Sequence, residues 1–277
     1  MKSAADPLSE CRRVYAHQVL VRSGTAAPHV EAAFAKVPRE RFLGPPPWSI
    51  GSGAETNWTQ TSNPHALYRD VLVALDRAKG INNGQPSLHA SCIASLDLRP
   101  TEHVLHIGAG TGYYTAILAE LAGRIDAYEI VPDLAARATI NLAAWLSVTV
   151  HAGSATGRAL PAAEAIYVSA GATHPDPHWL DALKDRGRLL FPLTGGDGWG
   201  AMLRIERRGA GFAARFLSRC GFIPCAGARD SATAARLTAV FRAGGCDAVR
   251  SLTRRPPDGA SAWYAGDGWY LSIAPPP

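Results

Sequence analysis

The chain has 277 residues, 47% hydrophobic and 18% charged, a composition that can bury a sizeable core and fits one large domain or one domain with an appendage. Its 28 lysines and arginines against 23 acidic residues leave a formal charge of +5, but no run of five like charges occurs, which argues against nucleic acid as a partner. No apolar stretch approaches the roughly 20 residues that cross a bilayer and residues 1–10 lack an apolar signal core, so no membrane partner and a cytoplasmic setting are expected.

In chain order, residues 8–43 read as two helices, because Val14, Val19 and Leu20, then Val30, Ala33, Phe34 and Val37, recur at helical spacing before Pro38. Residues 44–64 are rich in Pro, Gly, Ser and Asn and are expected to form a loop or lid. A short strand or turn near 71–75, a loop over 79–86 and a helix over about 87–96 follow. From 101 the pattern alternates: strand 103–107, helix 113–121, strand 124–130, helix 132–146, strands 148–151 and 165–169, a helix around 179–183 and strand 188–193. Strand–helix alternation with short loops predicts a parallel sheet covered on both faces. Strand-like stretches at 201–205, 212–217 and 221–224 come next, and 226–277 is mixed, ending in a proline-rich tail.

The cysteines (Cys11, Cys92, Cys220, Cys225 and Cys246) are odd in number without C-x-x-C spacing, and the nine histidines show no ligand pair, so neither a metal nor a disulfide framework is expected. Cys220 and Cys225 read as packing residues.

The central motif is Val104-Leu-His-Ile-Gly-Ala-Gly-Thr-Gly-Tyr113, a predicted strand running into G-x-G-x-G and then a helix. Glycine is needed where backbone turns sharply and approaches a ligand, and the following helix offers unpaired N–H groups. Glu129, 17 residues past Gly112, ends the next predicted strand, where a carboxylate accepts hydrogen bonds from ribose hydroxyls. A dinucleotide site expects G-x-G-x-x-G. Here the third glycine comes one residue early and Tyr114 fills the later slot, which favours S-adenosylmethionine (SAM) over NAD. Gly108, Ala109, Gly110, Thr111, Gly112 and Glu129 are therefore the candidate cofactor residues.

Around this motif lie Val37-Pro-Arg-Glu-Arg-Phe-Leu43, Gly84-Gln-Pro-Ser-Leu-His-Ala90, Ala165-Ile-Tyr-Val-Ser-Ala-Gly-Ala172, Gly187-Arg-Leu-Leu-Phe-Pro192 and Phe222-Ile-Pro224. Taken in order they resemble the V-P-R-x-x-F-V, S-Q-P-x-x-x-A, D-x-I-x-V-T-A-A-A, G-G-R-L-V-x-P and F-V-P segments of the protein-L-isoaspartate O-methyltransferase family, over about residues 10–225. The resemblance implies an α/β fold: a Rossmann-like SAM-dependent methyltransferase sheet with helices on both faces, an N-terminal helical extension and an extra C-terminal segment. It divides the chain into 1–64, helices and lid-like loop; 65–225, methyltransferase domain; and 226–277, extension. By position, Glu129 would hold the ribose, Asn82, Asn83 and His89 would line the cofactor, and Ser154 and Ala155 stand where the family has Asp-Gly at the adenine. Asn83 and Gly84 take the catalytic loop. The family's serine there, beside the substrate carboxylate, is Gly84, and its acidic residue ending the first strand is His106. Gly84 reads as either a reshaped, wider acceptor pocket or a plain turn, and His106 as either a cofactor contact or a hydrogen-bonded core histidine.

The implied reaction is carboxyl O-methylation with S-adenosylhomocysteine as product. A carboxylate is ionised at pH 7, its pKa being about 4, and needs no general base. An amine or phenol would need one, for which His89 and His106 are the nearby candidates. The expected acceptor is a carboxylate-bearing peptide or small molecule, met by the 48–65 and 169–178 loops. Trp48, Trp58 and Trp179 either stack on it or cover core. The alternatives are methylation of a small-molecule carboxylate or modified peptide natural product, and a non-catalytic SAM-binding homologue. Trp263, Tyr264, Trp269 and Tyr270 allow a homodimer interface, a cap on the site, or a small extra sheet.

Overall fold

The computed structural model describes residues 6–52, 57–257 and 261–276. Residues 1–5, 53–56 within the expected lid, and Pro277 of the proline tail lie outside the described residues. The chain forms two compact units, one of residues 1–101 with 109–152 and the other of 102–108 with 153–277.

The first unit opens with helices Ser9–Ser23 and Pro28–Lys36, as the periodicity predicts. The first stops at Gly24, whose φ of 67° lets its N–H reach back to Leu20 and Val21 carbonyls. The second starts on Pro28, which needs no N–H there. The described residues of 44–64 include two strands where a loop is expected. Strands Trp48–Gly51 and Thr59–Thr61 pair antiparallel, and Trp48–Gly51 pairs on its other side with Leu72–Asp76, which pairs with Ile81–Asn82. Tertiary burial overrides the turn-rich composition: Trp48 joins Leu43, Leu67 and Val73 in a buried apolar cluster. Gly51 leaves room for the Trp58 ring, whose Cε3 is 3.2 Å from where a Cβ would stand.

Helix Pro86–Leu96 follows, and then Tyr113–Ala119, strand Arg124–Glu129, helix Pro132–Asn141 and strand Val148–Ala152. The two strands are parallel, joined through their helix in a βαβ unit. Helix Pro132–Asn141 ends five residues before the expected 146, where the Asn141 side chain turns to another task described below.

In the second unit the strand order is Ala262–Ala265, Tyr270–Ser272, Ser251–Thr253, Gly211–Gly221, Trp199–Arg208, Leu183–Thr194, Ala163–Val168 and His103–Ile107. The last three run parallel, whereas the others are antiparallel. His103–Ile107 is buried from Val104 onward, which is why it reads as an apolar run rather than an alternating one. Leu183–Thr194 and Gly211–Gly221 are longer than predicted, and 221–224 is no separate strand. The C-terminal segment extends the edge of this sheet with three strands rather than forming a small sheet of its own, and its residues Ser231–Ala243 form a helix. Its aromatics pack within the chain: Phe216, Phe241 and Trp263 form a cluster, and Tyr264 lies 4.8 Å from Trp269. With Tyr264 and Trp269 buried, nothing favours the homodimer reading. Cys220 and Cys225 are buried packing residues. Among the described residues no helix is long and apolar enough to cross a membrane.

Candidate cofactor and acceptor site

The first unit carries Ala109 to Gly112, Glu129 and the 82–89 segment. Gly110 and Gly112 have φ of 56° and 97°, which side-chain-bearing residues seldom adopt. Packing adds a second reason at Gly112, where a Cβ would come within 2.7 Å of Leu142 Cδ1. Ala109 donates its N–H to the Tyr128 carbonyl (3.1 Å), and Asn141 Nδ2 donates to the Thr111 carbonyl (2.9 Å). The loop is thus clipped from the strand on one side and from the helix end on the other.

Glu129 sits at the end of its strand as expected, only 6% exposed. Its Oε2 accepts from Gly110 N–H at 2.7 Å and its Oε1 from Val131 N–H at 2.9 Å. Burial pushes the carboxyl above its ordinary 4.5, while the backbone N–H groups of Val131, Gly110 and Ile130 pull the other way. A buried carboxylate tied to a glycine loop that excludes side chains fits SAM, whose ribose hydroxyls seek an acceptor and whose body seeks close backbone approach.

In the 82–89 segment Asn82 Oδ1 accepts from Gly84 N–H (2.9 Å) and Asn83 Oδ1 from Val73 N–H (2.9 Å). Asn83 is buried and also lies 3.3 Å from Arg39 Nη2, so its carbonyl oxygen serves the scaffold. His89 is 2% exposed and stacks on Tyr114 with centroids 3.7 Å apart and planes at 7°. Of the two readings of Gly84, a wider pocket is not found on its Cβ side, because the His89 imidazole fills that space.

The second unit carries His106, Gly108, Ser154 and Ala155. His106 is fully buried, 3.1 Å from Ser169 Oγ through Nε2 and stacked on Tyr167. Of its two readings, the geometry is that of the hydrogen-bonded core histidine. Burial lowers its pKa to about 3, too weak a base to deprotonate an amine or phenol. Gly108 has φ 81°, which side-chain-bearing residues seldom adopt, while a Cβ there would make only ordinary contact with the Ser169 carbonyl at 3.5 Å. Ser154 Oγ is 2.7 Å from Thr156 Oγ1 and accepts from Thr156 N–H at 3.1 Å, closing a turn. Ala155 is buried, its carbonyl taking the Trp179 indole N–H at 2.8 Å. Trp179 is fully buried and Trp48 nearly so; both cover core and neither offers a face to a substrate.

Sequence reasoning missed Arg39, Asp70 and Asn141. Arg39, fully buried, donates to the carbonyls of Leu67 (2.6 Å), Arg69 (3.0 Å) and Val71 (2.7 Å). Asp70 accepts from Gln85 Nε2 (3.0 Å), Ser87 N–H (2.8 Å) and Ser87 Oγ (2.7 Å), pinning the start of helix Pro86–Leu96. Only Arg39 left a signal, as the arginine of the Val37-Pro-Arg segment that resembles the family's V-P-R.

A glycine loop leading into a helix, with a buried glutamate from the next strand end bonded to it, fits a Rossmann-like SAM-dependent methyltransferase. The profile of the Protein-L-isoaspartate(D-aspartate) O-methyltransferase (PCMT) family matches residues 17–230. The chain belongs to that family, and with it to the SAM-dependent O-methyltransferases. It is 33% identical over 211 residues to the protein-L-isoaspartate O-methyltransferase of Rhodopseudomonas palustris, covering 74% of this chain and 88% of the relative. To that of Methanoregula boonei it is 32% identical over 225 residues, covering 80% and 95%. A solved protein-L-isoaspartate O-methyltransferase superposes with a TM-score of 0.64 at 20% identity, covering 83% of this chain and 69% of that one. A PCMT chain from Plasmodium falciparum in complex with S-adenosyl-L-homocysteine gives 0.61 at 18% identity, covering 78% and 98%. The structural likenesses bear on the fold.

Proposed function

We propose that this chain transfers a methyl group from SAM to the side-chain carboxylate of an isoaspartyl residue in a peptide or protein. The observation that carries the reading is the buried Glu129 carboxylate held on Gly110 N–H, in a chain whose residues 17–230 match the family. Glu129 takes the ribose hydroxyls, and Ala109 to Gly112 present backbone to the rest of the cofactor. Gly108, Asn82, Asn83, His89 and His106 are assigned to its surroundings, and Ser154 and Ala155 to the adenine, by position in the sequence. Asn83 and Gly84 form the acceptor loop. Residues 65–225 constitute the methyltransferase domain.

When bound, SAM supplies an electrophilic methyl group. The protein's own work is to orient an already ionised carboxylate and keep water away, which needs no proton transfer. A neutral, buried His106 agrees with a site that has no base to offer. Family membership favours a protein carboxylate over a small-molecule acceptor, and no contact in the structure favours the latter.

The test combines calorimetry and turnover. Micromolar S-adenosylhomocysteine binding, lost in Glu129→Ala, together with methyl ester formation on isoaspartyl but not aspartyl peptides, is the expected result. Intact binding without isoaspartyl turnover would sink the acceptor assignment, and no binding by the native chain would sink the cofactor site as well.

A further inference from the structure

Gly84 is held at every point from which a residue can be held. Its N–H goes to Asn82 Oδ1 at 2.9 Å, and its carbonyl accepts from Tyr114 Oη at 3.4 Å. Its φ is 74°, and a Cβ built on it would overlap His89 Nε2, with His89 Cδ2 at 2.8 Å and Cε1 at 3.3 Å. The imidazole therefore occupies the volume that any side chain at 84 needs. It has little freedom to give way. His89 lies on helix Pro86–Leu96 with its N–H on the Gln85 carbonyl (3.1 Å), is 2% exposed, and is stacked face to face on Tyr114. Tyr114 is the second residue of the helix that leaves the glycine loop.

We propose that His89 is a positioning residue for methyl transfer, a wedge beneath Gly84 that fixes the peptide groups of the acceptor loop, and that glycine at 84 and histidine at 89 are a coupled pair. The proposal rests on the reading that the Asn83–Gly84 loop meets the acceptor. At this point the chain presents main chain rather than a hydroxyl side chain, because the imidazole has taken that space. His89 acts through Gly84, since its burial leaves it no surface for the substrate. A misplacement on the order of 1 Å at such a loop costs about 100-fold in rate, so the wedge matters chiefly to kcat.

A double-mutant cycle on the full chain tests this: Gly84→Ser, His89→Val and the pair together, each checked for folding by thermal unfolding. S-adenosylhomocysteine affinity, kcat and KM with an isoaspartyl peptide are the readouts. Each single variant is expected to lose kcat by about tenfold or more, a larger loss than any it shows in S-adenosylhomocysteine affinity. The double variant is expected to recover part of the kcat that Gly84→Ser loses, because valine vacates the slot the serine needs, while the φ of 74° strains serine equally in both. A double variant no better than the worse single, or a His89→Val enzyme with native kcat, overturns the proposal. If the native chain binds S-adenosylhomocysteine but turns over no isoaspartyl peptide, the acceptor reading fails instead. The steric coupling is then judged by whether the double variant restores the melting temperature that Gly84→Ser lowers; no restoration refutes it too.

Discussion

At the scale of single residues, two titratable groups have their pKa values moved in opposite directions from their ordinary ones, each by burial, which favours the neutral form of both. In the proposed site Glu129 accepts from ribose hydroxyls most strongly when ionised, yet burial raises its pKa above 4.5. Acidification should therefore weaken S-adenosylhomocysteine binding at a higher pH than an ordinary glutamate would permit. Affinity measured from pH 4 to 8 should fall at the acid end in the native chain and stay flat in Glu129→Gln. That substitution itself should weaken binding by roughly 10- to 100-fold, as expected for losing a hydrogen bond to a charged group worth about 1.5–3 kcal/mol. His106 behaves differently. Its folded pKa, about 3, lies below the ordinary 6.5, so the unfolded chain binds the proton first as pH falls. The stability it contributes is fully present above about 6.5 and is lost progressively toward pH 3. Its imidazole resonances should not titrate between pH 5 and 9; a midpoint inside that window would show that the ring is not enclosed as described.

At the scale of elements, the acceptor loop is held by a clamp of polar groups from segments distant in sequence. Arg39 gathers three carbonyls from residues 67–71, and Asp70 within that segment gathers Gln85 and Ser87. The guanidinium also lies 5.8 Å from the ring centroids of both Tyr15 and Tyr113. Arg39→Met should destabilise the chain by about 3 kcal/mol or more, because buried carbonyls losing their donor cost about 1–3 kcal/mol each. For a chain of this size that is a melting temperature lower by roughly 6–12 °C. Arg39→Lys should fall between, since an ammonium cannot span the same fork of acceptors; equal stability of native and Met forms would deny the clamp.

This clamp was beyond sequence reading for the reason that it is non-local: nothing in the spacing from 39 to 70 to 87 follows a helix or strand period. The alternating core from 103 to 194 was legible because its apolar runs, glycine loop and strand-ending Glu129 each obey a local rule. Within 44–64, composition hides the strands Trp48–Gly51 and Thr59–Thr61. Trp48 is held in the cluster with Leu67 and Val73, contacts no single window contains. His106 and Gly84 were left open because burial decides both, and the chain alone does not reveal it.

At the scale of the molecule, the family match ends at 230, yet the residues beyond it are built into the second unit. Ser251–Thr253 adds to the free edge of Gly211–Gly221, pairing Leu252 with Phe212, and Leu237 of helix Ser231–Ala243 is fully buried. Gly196 N–H reaches the Ala234 carbonyl at 3.1 Å, tying the helix to the turn after Leu183–Thr194. Extension residues Arg254 and Trp269 also wall a cavity of about 290 Å³ together with His174, Pro177 and Leu180. A chain cut after Asp230 would expose Phe212 and Phe216 on an unpaired edge, a template for aggregation. The truncated protein should melt at least about 5 °C lower, the shift expected for a loss of roughly 2 kcal/mol, and should elute partly as aggregate in size exclusion. If instead it is monomeric with native melting behaviour, the extension is an appendage and its burial is not needed by the strands it covers. The distinction matters for the acceptor side, because the 169–178 loop shares that cavity wall. A change in KM without a change in melting temperature would assign the extension to substrate contact rather than to the core.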